Sequence, residues 1–359
     1  MLEDTSIRTS VRVLVVDDSA FMRTALSRMI SSDPELEVVG TCCSGSDALE
    51  KIPSLAPDVV TLDICMPGLD GFETLRTIMK QFPRPVIIVS AASERDANAS
   101  FKALTCGAFD YIAKRSAPAE LNITPIRDDL IKKIRAAGHC RARPSPSGGR
   151  KPTPSKEYSH HDAAQVAVVA IGASTGGPRA LWQILPRLPR DLPVPVLIVQ
   201  HMPRGFTGPF AARLNTVCSI AVREAVHHEP LQPGMVYIAP AGQHMAVQHH
   251  PGRTASITLG ANPAHHLHIP SIDILMTSVA EGFHHSAMGI ILTGMGCDGV
   301  KGMKTIFQQG GLTIAQDEAS CTVYGMPRAC AEQHVLTRVV PLALIPSQII
   351  EATRQCKHA

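Results

Sequence analysis

The amino-acid sequence predicts an α/β protein. An N-terminal doubly wound (βα)5 domain, residues 1–140, is joined by a flexible linker, residues 141–163, to a C-terminal α/β parallel-sheet domain, residues 164–359. Three observations carry this reading. Short, nearly all-apolar runs alternate with amphipathic stretches on either side of a single break, as strands buried on both faces between crossover helices require. The break, "RARPSPSGGRKPTPSKEYSHHD" from Arg141 to Asp162, is rich in Pro, Ser, Gly and basic residues and lacks apolar periodicity. Such a segment cannot bury enough surface to offset its ordering entropy. Aromatic residues make up only 4% of a chain that is 45% hydrophobic, which suits aliphatic strands better than an aromatic-rich β-sandwich.

Before the break the strands read "VRVLVVDD", "LEVVGTC", "DVVTLD", "PVIIVS" and "DYIAK", with amphipathic stretches at Phe21–Ile30, Phe72–Gln81 and Ala97–Cys106. Right-handed crossovers place the site of such a sheet at the carboxyl ends of its strands. Asp17 and Asp18 close the first strand, Asp63 the third and Ser90 the fourth, and Lys114 lies at the end of the fifth. Acids packed together repel and call for a hard divalent cation, and oxygen ligands of this kind suit Mg²⁺. A cation and a lysine together balance the charge of a phosphoryl group carried on one carboxylate.

With "VVDDS", "TLDICMPGLDGFETL", "IIVSA" and "YIAKR", the stretch from Val11 to Ala137 resembles a response-regulator receiver domain. The resemblance implies that Asp63 is the phospho-acceptor and that Asp17, Asp18 and the backbone carbonyl of Cys65 join it around Mg²⁺. It also makes Ser90 the switch hydroxyl and Lys114 the phosphoryl partner. In one respect the sequence departs from the pattern: Arg115 follows the lysine where such domains usually carry proline. A non-proline cis bond costs about 2.5–4 kcal/mol, so a trans bond or a locally strained loop is expected here.

After the break, "VAVVAIGASTGGPRAL" (Val166–Leu181) reads as a buried strand, a glycine-flanked Ser174 and a helix. A dinucleotide-binding G-x-G-x-x-G needs bare backbone where Ser174 stands, and a P-loop needs Gly-Lys-Ser/Thr where Gly177, Pro178 and Arg179 stand. The spacing instead matches G-x-S-x-G, a tight strand-to-helix turn that projects a serine oxygen above a sheet. A serine N-cap before Pro178 would give a similar string, so a nucleophile needs its base and acid as well. The next strand, "VPVLIVQHM", ends in His201. "MGIILTGMGCDGVKG" is a strand opening into a glycine-rich turn that presents Asp298. Asp298 outranks Asp191, in a polar connector, and Asp273, inside a helical pattern, because it alone follows a buried strand among glycines.

The strings "IGASTGGP", "VQHMP", "LTGMGCDG" and "VYGMPRAC" resemble the catalytic domain of the chemotaxis methylesterases, the CheB family, from about Val166 to Thr353. This resemblance implies Ser174 as nucleophile, His201 as general base and Asp298 as its orienter, with Thr175 and the backbone of Met295 beside the oxyanion. It further implies hydrolysis of glutamyl methyl esters on methyl-accepting chemoreceptors, with release of methanol and deamidation of receptor glutamines. No cofactor is expected for the ester chemistry. The implied partners are those receptors and a CheA-type histidine kinase as phosphodonor, with the receiver restraining the catalytic domain until it is phosphorylated.

Composition excludes several classes. The N-terminus is polar and acidic, unlike a signal or transit peptide, and no apolar run approaches the about 18 residues of a membrane span. A net charge of +3 is too small to argue for nucleic acid, and the second half lacks a helix-turn-helix pattern. The paired histidines come without HExxH or cysteine partners, so they read as ordinary residues rather than metal ligands. Ten cysteines without CxxC pairing suit a cytoplasmic protein with reduced thiols. A monomer is expected.

Overall fold

The computed structural model describes residues 10–67, 70–91, 94–114, 124–140, 156–157, 166–249, 254–261 and 268–354. The chain divides into two compact units, Met1–Gly149 and Arg150–Ala359.

In the first unit the elements are β1 (Val11–Val16), α1 (Ala20–Ser31), β2 (Leu36–Cys42), α2 (Gly45–Leu55), β3 (Val59–Leu62) and α3 (Gly71–Gln81). They continue with β4 (Val86–Ala91), α4 (Glu94–Thr105), β5 (Asp110–Lys114) and α5 (Thr124–Cys140). The sheet runs β2-β1-β3-β4-β5 and is parallel throughout. Val13, Leu14, Val15 and Val16 are all buried, so successive side chains of β1 meet covered faces on both sides of the sheet. Val13, Val15, Ile87 and Val89 share one of these cores with Leu26, Ile30 and Ile134. Ser19, Ser44 and Asp70 start α1, α2 and α3 by accepting hydrogen bonds from backbone N–H groups of the first turn. Arg115, and with it the bond after Lys114, lies outside the described residues.

The second unit begins with β6 (Lys156–Glu157), β7 (Val168–Ala173), α6 (Gly177–Ile184), β8 (Val196–Gln200), α7 (Thr207–Asn215), β9 (Ala221–Glu224) and β10 (Met235–Ile238). Next come β11 (His244–Gln248), β12 (Ser256–Gly260), α8 (Ile272–Phe283), β13 (Ala287–Ile291) and α9 (Val300–Gln308). It ends with β14 (Leu312–Gln316), α10 (Met326–Glu332), β15 (Arg338–Val340) and α11 (Ile345–Thr353). The main sheet runs β6-β15-β14-β13-β7-β8-β10-β9. It is parallel except where β6 pairs antiparallel with β15. β11 and β12 form a separate antiparallel hairpin.

β6 lies within the segment expected to be a flexible linker, residues 141–163. β15 would otherwise leave one edge open, and Lys156 and Glu157 cap that edge opposite Val339 and Arg338. The remainder of that segment lies outside the described residues. Among the described residues no helix is long and apolar enough to cross a membrane.

After β6 at one edge, the chain takes β7 in the middle of the sheet, steps to β8 on one side, and returns to β13 on the other. A crevice opens at such a switch point, above the carboxyl ends of the strands.

Candidate active site

All six residues of β7 are buried, and the strand ends against Ser174. The Ser174 N–H donates to the Thr293 carbonyl at 3.1 Å, while the Ser174 carbonyl accepts from Gly177 N–H at 2.8 Å. Gly176 has φ +76°, and a Cβ there would stand 2.4 Å from the side chain of Thr322. Backbone conformation and space both demand glycine at this bend. A Cβ on Gly177 would stand 2.0 Å from Oε1 of Gln200.

Gln200 is the last residue of β8 and is buried. Its Nε2 donates to the carbonyls of Ser174 (2.9 Å) and His201 (3.1 Å), bracketing the two strand ends. We expect Gly177→Ala to push this amide out of place, costing roughly 1–3 kcal/mol of stability. A urea-unfolding midpoint unchanged from wild type would refute that.

Ala173 pairs with Gln200 in the β7–β8 ladder, so Ser174 and His201 are the next residues of neighbouring strands. The His201 N–H donates to the Ala173 carbonyl at 3.0 Å. Asp298 sits in the loop between β13 and α9. The three expected residues therefore come from three adjacent strand ends, β13, β7 and β8.

Nε2 of His201 lies 2.8 Å from Oδ2 of Asp298. The same Oδ2 accepts from Ile272 N–H at 2.8 Å, and Oδ1 accepts from the Ser271 hydroxyl at 3.0 Å and Asp273 N–H at 3.1 Å. These are the opening groups of α8, so the carboxylate rests on a helix N-terminus. Burial alone would raise the Asp298 carboxyl. The bonds from His201 and the two backbone N–H groups outweigh burial and hold it at about 2. An ionised carboxylate only accepts, so Nε2 donates in this bond, and in a neutral ring Nδ1 is then the acceptor. That Nδ1 is buried and has no partner among the described residues. The N–H groups of Thr175 and Met295 likewise find no acceptor among the described residues.

Asp273 serves differently. Its Oδ1 accepts from Gly299 and Gly302 N–H at 2.9 and 2.8 Å, capping α9. Burial and then the charge of Asp298 raise its carboxyl, partly offset by those N–H groups. Three contributors were not singled out from the sequence. Gln200 reads there as an ordinary strand end. Ser271 carries a signal, a serine before the apolar "IDILM" run, as the N-cap it proves to be. The third is His268, whose ring stacks on that of His201.

In the first unit Asp17, Asp18 and Asp63 bring carboxylate oxygens within 4.8 Å of one another. Lys114 Nζ lies 2.8 Å from Asp17 and 2.5 Å from Asp63. Burial pulls the Lys114 ammonium down, but its bonds to the two carboxylates win and raise it, so the lysine is charged. Oδ1 of Asp63 accepts from Cys65 N–H at 3.0 Å. The Ser90 hydroxyl is buried and unpartnered among the described residues, facing Ala113 across the β4–β5 ladder. Three carboxylates against one ammonium leave an excess of negative oxygen donors, a set that fits a hard divalent cation.

Residues 169–349 match the family described as CheB methylesterase, and residues 13–124 match the response regulator receiver domain. A protein-glutamate methylesterase/protein-glutamine glutaminase of Halalkalibacterium halodurans is 42% identical over 98% of this chain and 100% of its own length. One of the same name from Pyrococcus horikoshii is 42% identical over 95% and 93%. The crystal structure of the Thermotoga maritima CheB methylesterase catalytic domain is 38% identical with TM-score 0.51. It covers 52% of this chain and 99% of that one.

Proposed function

From the premise that this chain belongs to the CheB methylesterase family and carries a response regulator receiver domain, we propose that it is a phosphorylation-regulated protein-glutamate methylesterase. It hydrolyses glutamyl methyl esters on methyl-accepting chemoreceptors in chemotaxis adaptation and deamidates receptor glutamines. The observation that carries the chemistry is the Asp298–His201 pair, with its free Nδ1 at the strand end next to Ser174.

Ser174 Oγ attacks the ester carbonyl carbon as its proton passes to Nδ1 of His201. The developing imidazolium is held by Asp298, and the oxyanion faces the N–H groups of Thr175 and Met295. Collapse breaks the bond to the methoxy oxygen, which takes the proton from Nδ1 and leaves as methanol. Water then gives a proton to Nδ1 and attacks the acyl-enzyme. Ser174 departs with that proton, and a glutamate is left on the receptor. A glutamine side chain follows the same course with ammonia as the leaving group.

In the receiver, Asp63 accepts a phosphoryl group from a CheA-type histidine kinase. Asp17, Asp18, Asp63 and the carbonyl of Cys65 would hold Mg²⁺, which supplies positive charge against that group when bound. Lys114, already beside Asp63, offsets the rest of the charge, and the buried Ser90 hydroxyl is placed to respond to it. Burial raises the thiols of Cys42 and Cys330 to about 12, keeping both protonated.

The test is methanol release from methylated receptors, with and without acetyl phosphate. Stimulation is expected for the wild type. Asp63→Asn is expected to remain at the basal rate whatever the phosphodonor, and a fragment starting near Ala164 to exceed the unphosphorylated full chain. A stimulated Asp63→Asn variant would remove that carboxylate from the switch.

A further inference from the structure

We propose that His268 is a positioning residue for the catalytic base, a role that rests on His201 acting as that base. The rings of His201 and His268 stack with centroids 4.3 Å apart and planes 15° from parallel.

The need for such a partner follows from what else holds His201. Its ring is anchored at one edge atom, Nε2, by the bond to Asp298, and the opposite nitrogen Nδ1 has no partner among the described residues. One hydrogen bond fixes a point, not a plane. The torsion between Cβ and an imidazole ring is broad and two-fold, so the ring is free to swing about that anchor. Each swing carries Nδ1, the atom that must meet the Ser174 proton, away from its path. A flat neighbour on the face of the ring removes this freedom, because turning out of parallel drives the edge of His201 into the face of His268. Stacking therefore constrains the one motion that the Asp298 bond leaves open.

The same short segment sets the other partner. Three to five residues after His268, the Ser271 hydroxyl and the N–H groups of Ile272 and Asp273 bind the carboxylate of Asp298. Ser271 is itself tied through its N–H to Nδ1 of the buried His244 at 3.1 Å. Residues 268–273 thus grip acid and base together, His268 on the ring face and the opening of α8 on the carboxylate. Stacking on the His201 ring requires a planar side chain.

The experiment compares His268→Phe, His268→Leu and His268→Ala in the full chain. It reads kcat and KM for methanol release, and separately the rate at which a fluorophosphonate inactivates Ser174. Phe preserves the flat face and is expected to keep kcat within about threefold of wild type. Leu, similar in bulk but not planar, and Ala are expected to lose about 10- to 100-fold in kcat with KM little changed. Inactivation should slow in the same order. If Ala fails to fold by its melting profile, the contrast between Phe and Leu decides.

The proposal is overturned if Phe falls as far as Leu, if every folded variant stays near wild type, or if the loss lies in KM alone. Should the wild type release no methanol yet react with the fluorophosphonate, the receptor-ester assignment fails while the inactivation rates still rank the variants. Should the wild type not react at all, there is no activated serine for His201 to serve, and the role of His268 falls with it.

Discussion

Ser174→Ala is expected to lower kcat for ester hydrolysis by about 10⁴-fold or more, the usual cost of removing a triad nucleophile. The expectation is sharp because the backbone of Ser174, not its side chain, does the structural work. Its N–H bonds to Thr293, and its carbonyl accepts from both Gly177 and Gln200. Alanine keeps all three bonds and the turn they close, so the fold and receptor binding should survive almost unchanged. Methanol release and covalent labelling by a fluorophosphonate, measured beside receptor pull-down, give the two halves of the result. Activity within about tenfold of wild type would remove Ser174 as the nucleophile, since losing a nucleophile does not leave so little trace.

Ser174, His201 and Asp298 were legible in the sequence for one physical reason. Each follows a run of buried aliphatic residues, and a parallel sheet gathers its strand ends on one edge. The acids of the first unit were legible on the same ground. What the string could not supply was the order of strands, which puts β13, β7 and β8 side by side although β8 and β13 are far apart in the chain. Nor could it supply contacts made by connecting segments. His268 meets His201 across more than sixty positions, through a path that no periodicity encodes. Gln200 ends an apolar strand, and only the tight bend at Gly176 and Gly177 turns its amide into a bracket. The pairing of Lys156 and Glu157 with β15 was hidden by a composition that argues for coil, because the exposed edge that recruits them is formed by residues far downstream.

Asp298→Asn is expected to cost about 10⁴-fold in kcat, because an amide in that position no longer enforces the tautomer that frees Nδ1. Stability should fall too. Both oxygens of Asp298 accept from donors, His201 and Ile272 on one, Ser271 and Asp273 on the other. An NH₂ group in either place opposes a donor. Held at about 2, below the usual value of about 3.9, the carboxyl contributes on the order of 2 kcal/mol that is fully present above the unfolded value. As pH falls through about 4 toward 2 that contribution disappears, so the melting gap between wild type and variant should be full near neutrality and close in acid. Asp273→Asn provides the contrast. Its Oδ1 survives as an amide oxygen for Gly299 and Gly302, and losing its charge relieves repulsion with Asp298. Turnover of that variant should stay within a few-fold of wild type, with melting nearly unchanged. If Asp273→Asn proved the more damaging of the two in kcat, the carboxylate that orients His201 would have been misassigned, and the bond between Nε2 and Asp298 would be a packing contact rather than part of the proton path.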